Sequence, residues 1–312
     1  MRIELCNITK TYRGAPRAAL TGLNLSFKSG DVVGIIGNNG SGKSTLLNIL
    51  SSVITATSGS YLLDGEDITH NPEIVKNRMG YFADPDRALY WRLTARENVD
   101  RFCKLKGIFR TDGVPEQTNR LLKRFGLLES AGRQIRTFSK GMKVKLNIIL
   151  SLLGDNDLLI LDEPFAGLDG NVITELLDIV DEQADSGKII LVSSNELSEL
   201  ELLCNRLIVL NAGELVFDGT PRAALDARPG EGVLDVYCMH PEQMNGLILD
   251  GAGLHVAQSV LYFDRVSLFS QVPLEDYAAM TQWGGLGKNK VVLREKNLYD
   301  VLKKMNQEDE LS

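Results

Sequence analysis

The most constraining stretch of the sequence is Gly37-Asn38-Asn39-Gly40-Ser41-Gly42-Lys43-Ser44-Thr45, which follows the continuous apolar run 32–36 and leads into a helical stretch from Lys43 to about residue 51. A buried strand, a glycine loop and a helix in that order match GxxxxGK[ST] in pattern and in context. Glycines let the backbone wrap around phosphate oxygens, and the helix start adds positive potential. Lys43 is the length to reach β- and γ-phosphates, and Ser44 offers a hydroxyl to magnesium. A turn without function would not need the lysine, the hydroxyl and the strand-helix context together.

A second run, residues 158–161, is an apolar strand that ends in Asp162-Glu163-Pro164. Beside a phosphate cradle, Asp162 would complete the magnesium environment, and Glu163 would orient or deprotonate an attacking water. A lone acidic pair often only solvates a loop. Coming after the cradle, these carboxylates read as catalytic, and together the two motifs specify a nucleoside triphosphatase.

Residues 93–153 read as mainly helical, and strands at 158–161 and 188–192 flank a helix near 172–184. Alternating strands and helices predict a mainly parallel sheet covered on both faces. Turn residues Asp218-Gly219 and Thr220-Pro221 mark a boundary, giving one domain over 1–221 and a small α+β domain over 222–312. In that tail, strands are predicted at 233–238, 262–269 and 291–293, and helices at 275–280 and 298–305.

The formal net charge of -7 argues against a general nucleic-acid binder, whose affinity comes from lysine and arginine displacing counterions. Cys6, Cys103, Cys204 and Cys238 are scattered without a CxxC pair, so neither a disulfide framework nor a zinc site is expected. The opening residues read as a strand rather than a signal peptide, and no run reaches the ~18 apolar residues of a membrane span. Work at a membrane would therefore need a partner.

Phe138-Ser139-Lys140-Gly141-Met142, placed between the cradle and the acidic strand, resembles the signature motif of ABC transporter ATP-binding subunits in the form common among bacterial export-type members. The resemblance covers about residues 1–220. It implies an α/β fold, a P-loop NTPase ABC cassette with a mixed sheet and a helical subdomain at about 93–153, plus the small C-terminal α+β domain. The tail, with Asn297-Leu298-Tyr299-Asp300, more loosely resembles the extension of export-type cassettes.

The same resemblance implies ATP and Mg2+ as ligands, a membrane-spanning transporter subunit as partner, and a second cassette, identical or different, closing head to tail. It implies a peripheral position on the cytoplasmic face of the cell membrane, and the acidic balance leaves no nucleic-acid partner expected. Ser139 and Gly141 would bind the γ-phosphate held by the opposite cradle, Tyr12 would stack on adenine, and Asp169 would bridge the dimer. Tyr90, Trp91 and Arg92 fall in the loop that contacts the membrane partner.

Two positions depart from the family pattern. Asp84 or Asp86 stands where a sensing glutamine is usual, so a carboxylate there would coordinate magnesium or water. Asn195 stands where a switch histidine is usual, and asparagine hydrogen-bonds a phosphate without carrying a proton. His70, His240 and His255 are poor substitutes by position. ATP hydrolysis driving export is the expected activity, slowed at Asn195. The alternatives are an ATP-dependent dimerising regulator with little turnover and a soluble, non-transport ABC ATPase.

Overall fold

The computed structural model describes residues 1–82, 88–108, 113–166, 168, 170–194 and 197–226, and the strands 232–237, 256–261, 265–270 and 290–294. The chain divides into two units, 1–219 and 220–312. That division falls two residues before the expected boundary.

Two sheets build the first unit. β1 (Arg2–Lys10), β2 (Leu20–Lys28), β4 (Ser58–Leu63) and β5 (Glu66–Asp67) form an antiparallel sheet of order β2-β1-β4-β5. β3 (Val32–Ile36), β6 (Met79–Phe82), β7 (Leu158–Asp162), β8 (Ile189–Ser193), β9 (Arg206–Asn211) and β10 (Glu214–Gly219) form the other, of order β10-β9-β3-β8-β7-β6. Its strands run parallel from β9 to β6, and β10 returns antiparallel by a tight turn at Ala212-Gly213. The prediction of a mainly parallel sheet fits this second sheet. The opening residues were expected to form a strand, as β1 does; its pairing into a separate antiparallel sheet was not foreseen.

β3 and β8 are buried at every position, as expected of strands covered on both faces. α1 (Lys43–Leu50) contributes Leu46, Leu47, Ile49 and Leu50 to one core. Ile3, Leu5 and Phe27 of the antiparallel sheet and Val33, Ile35, Leu158 and Ile160 of the mixed sheet complete it. The helix that follows the glycine loop is thus anchored by both sheets. A short helix, α2 (Glu73–Lys76), precedes β6.

The helical region holds α3 (Ala95–Lys106), α4 (Val114–Arg124) and α5 (Lys140–Leu152). Thr94 starts α3 with a capping box: its hydroxyl accepts from the Glu97 amide, and the Glu97 carboxylate accepts from the Thr94 amide. Gly107, at φ 76°, ends it in the left-handed conformation that glycine adopts without strain. α5 lies against β6, with Gly80 facing the Ser151 carbonyl. α6 (Gly170–Asp185) links β7 to β8, and α7 (Leu197–Leu203) links β8 to β9.

The second unit begins with α8 (Pro221–Asp226) and contains an antiparallel sheet of order β12-β13-β11-β14. Its strands are β11 (Gly232–Tyr237), β12 (Val256–Leu261), β13 (Arg265–Ser270) and β14 (Lys290–Arg294). β12 was not predicted, and β13 starts later than its predicted position. β11 and β12 run parallel with β13 between them, and β13 and β14 run parallel with β11 between them, the strand arrangement of a split βαβ unit. The predicted helices at 275–280 and 298–305 lie outside the described residues.

Candidate nucleotide site

The glycine loop and the acidic strand end face one cleft of about 610 Å³, lined by Ala19, Asn38, Asn39, Gly40, Gly42, Lys43, Ser44, Thr45, Asp162, Glu163 and Ala166. Gly42 sits at the N-cap of α1 at φ 107° and gives it no capping side chain, so the positive helix end is left to the cleft. A side chain at Gly42 would fall 2.7 Å from the Ala19 carbonyl oxygen. Both the backbone conformation and the close approach therefore require glycine there.

Lys43, a residue 8% exposed, donates from its ammonium to the Gly37 carbonyl at 2.6 Å and so bridges the loop from inside. Burial lowers its pKa, while the nearby Glu163 and Asp162 carboxylates push it back up. An anionic ligand in the cleft would add to the charges that favour the ammonium. Ser41 Oγ is buried without a hydrogen-bond partner among the described residues. A Cβ on Gly37 would stand 2.4 Å from that oxygen, so the loop closes around it.

Asp162 ends β7, and Glu163 follows at φ 51°, a left-handed conformation that costs a non-glycine residue about 1–3 kcal/mol. Ser193, at the end of the neighbouring β8, holds this turn. Its hydroxyl donates to Asp162 Oδ1 at 2.6 Å and accepts from the Glu163 amide at 3.0 Å, while its carbonyl accepts from the same amide at 3.1 Å. Sequence reading passed over Ser193. A hydroxyl at the end of an apolar strand was the available signal, but the register that aligns it with Asp162 is not written in either segment.

Tyr12 is 43% exposed, which excludes core packing. Its hydroxyl lies 3.3 Å from Thr45 Oγ1 and the Lys10 ammonium sits 5.4 Å from its ring centre. Ser139 is the N-cap of α5 and accepts from the Met142 amide at 3.2 Å. Ser139 and Gly141 do not line the cleft that the cradle forms within the chain. Asp84, Asp86, Asp169 and Asn195 lie outside the described residues.

The donor set suits a magnesium nucleotide. Backbone amides, an ammonium and two hydroxyls face phosphate chemistry, and the oxygen ligands Ser44 and Asp162 are of the hard type magnesium takes.

Comparison with known proteins identifies the scaffold. The family model described as "ABC transporter" matches residues 20–166. The ABC transporter ATP-binding protein NatA of Bacillus subtilis is 33% identical over 219 residues, 70% of this chain and 89% of that one. The chain belongs to the ATP-binding proteins of ABC transporters.

Other members of the family include the Nod factor export ATP-binding protein I of Cupriavidus metallidurans, 32% identical over 75% of this cassette chain and 76% of its own. The daunorubicin/doxorubicin resistance ATP-binding protein DrrA of Streptomyces peucetius is 34% identical over 70% of the chain and 65% of its own length. Among solved structures, an ATP-binding subunit of an ABC transporter superposes with a TM-score of 0.66 at 27% identity, covering 73% of this chain and 93% of that one. The dimeric bacterial cassette MJ0796 gives 0.62 at 26%, covering 70% and 98%. The cassette is accordingly an ATPase of a transport system. Among its described residues, no helix is long and apolar enough to cross a membrane.

Proposed function

We propose that this cassette binds and hydrolyses ATP to power export through a separate membrane-spanning subunit, working on the cytoplasmic face of the membrane as one of two paired cassettes. The observation that carries the reading is the single cleft in which Lys43, Ser44 and Thr45 face Asp162 and Glu163. Export is supported by what the relatives' names describe, resistance and Nod factor export.

In this reading the Lys43 ammonium exchanges the Gly37 carbonyl for β- and γ-phosphate oxygens, joined by the loop amides of residues 38–45. Ser44 and Asp162 would hold magnesium, which spreads the charge that develops on the phosphate oxygens. Glu163 accepts a proton from water as its oxygen attacks the γ-phosphorus and the bond to the bridging oxygen breaks, releasing ADP and phosphate. Tyr12, exposed beside Thr45, stacks on adenine.

Ser139 hydrogen-bonds the Met142 amide through a lone pair, which leaves its own hydrogen for a phosphate oxygen of the second cassette's nucleotide, next to Gly141. Asp169 is assigned to the dimer contact and Asp84 to the magnesium or water environment. Asn195 can hold the γ-phosphate without moving a proton, so turnover is slower than with histidine.

Steady-state turnover of the wild type, Asn195→His and Glu163→Gln tests the chemistry. Asn195→His should raise the rate and Glu163→Gln should abolish it; wild-type turnover in Glu163→Gln would remove that carboxylate from its role. Gentle detergent extraction should copurify a polytopic membrane protein. ATP-driven dimers without measurable turnover would instead point to the alternative of an ATP-dependent dimerising regulator.

A further inference from the structure

The backbone register brings three strand ends into one row. Ser193 of β8 is aligned with Ile35 of the strand that leads into the glycine loop on one side, and with Asp162 of the acidic strand on the other. The Ser193 residue is fully buried, so water does not compete for its hydroxyl. Both capacities of that hydroxyl go to the acidic strand end, a donor to Asp162 Oδ1 and an acceptor from the Glu163 amide. The second of these helps keep Glu163 in a left-handed conformation that its side chain disfavours.

We propose that Ser193 is a positioning residue for ATP hydrolysis: its hydroxyl orients the Asp162 carboxylate toward magnesium and holds the Glu163 turn so that the Glu163 carboxylate points at the attacking water. The proposal rests on the roles given above to Asp162 and Glu163. A charge-assisted hydrogen bond at 2.6 Å fixes which Asp162 oxygen remains for a metal. Without the hydroxyl, the carboxylate loses the bond that fixes its rotation, and the Glu163 amide keeps the Ser193 carbonyl as an acceptor at 3.1 Å. That remaining backbone bond and the strand ladder are what allow the alanine variant to fold.

The test uses the full chain with Ser193→Ala and Ser193→Thr, and with Asp162→Asn and Glu163→Gln alongside. One readout is steady-state kcat and KM for ATP. The other, independent of turnover, is the Mg2+ concentration that half-saturates binding of a fluorescent ATP analogue. Ser193→Ala should lower kcat about tenfold to a hundredfold, the range expected for one hydrogen bond to a charged group, with a smaller change in KM. It should also raise the Mg2+ needed for binding, and Ser193→Thr, which keeps the hydroxyl, should restore both readouts toward wild type.

Should Ser193→Ala fail to fold, Ser193→Cys, of similar volume and with a weaker donor, carries the same comparison. Wild-type kcat and Mg2+ dependence in Ser193→Ala would overturn the proposal, and so would equal losses in the alanine and threonine variants with unchanged Mg2+ dependence. If Asp162→Asn and Glu163→Gln are inactive while Ser193→Ala is unaffected, only the role of Ser193 falls. If the two carboxylate variants also turn over normally, the reading of the carboxylates falls with it.

Discussion

Replacing Gly80 by alanine would place a methyl group 1.8 Å from the Ser151 carbonyl oxygen and 2.9 Å from its carbon. A C–H···O contact settles at about 3.3–3.6 Å, so the two backbones must separate by about 1.5 Å. β6 cannot yield easily, because Gly80 is paired with Leu159 in the ladder to β7. The motion falls on α5, whose next-to-last residue is Ser151. Overpacking costs about 1–3 kcal/mol, and with backbone on both sides the upper end applies, about 3 kcal/mol.

Alanine also restricts the unfolded chain, which returns about 0.4–1 kcal/mol and leaves a net loss of about 2–2.5 kcal/mol. For a domain of this size each kcal/mol shifts the melting temperature by about 2–4 °C, so Gly80→Ala should melt about 4–10 °C lower. Thermal unfolding of the full chain measures it. Because Ser139 caps α5, ATP-driven dimerisation in a Glu163→Gln background should weaken as well. A melting temperature within about 1 °C of wild type would refute the close packing of α5 on β6.

Burial, and secondarily the Lys188 charge, lower the Lys106 pKa from 10.5 to about 8. Between those values the unfolded chain holds the proton that the folded chain has lost, so this group makes stability rise from pH 8 to 10.5; melting curves should show that rise flattened in Lys106→Met. Arg206 binds Asp218 through two nitrogens at 2.6 Å each and the Ser26 carbonyl at 2.6 Å, so Arg206→Ala should cost about 2 kcal/mol in denaturant unfolding. Lys43 has a pKa that burial lowers and bound phosphate would raise, so ATP affinity, measured by nucleotide titration, should fall as the pH is taken into the alkaline range. Lys43→Met should lose both the affinity and its pH dependence.

What could be read without coordinates was local. Residues 32–45 announce strand, loop and helix because the apolar run, the glycines and the lysine are contiguous, and residues 158–163 do the same for the acidic strand. Ser139 caps α5, as a serine ahead of a helical run commonly does. Pairing was not legible: β1, β2 and β4 come together across tens of residues, and β12 (Val256–Leu261) carries Gln258 and Ser259, which break the apolar pattern that marks a strand. Ser193 was missed for the same reason, since its partners sit thirty residues upstream and only register brings them opposite.

β8 lies between the strand that feeds the glycine loop and the strand that ends in the carboxylates. Neighbouring strands stand about 4.8 Å apart, so β3 and β7 are held about 10 Å from each other by backbone pairing alone. In the proposed reading that span would gauge a phosphate chain with a cation beside it, and it is set by backbone pairing. Residues around the cleft could then be exchanged, and the rate altered with them, while the spacing of the two strands stays the same.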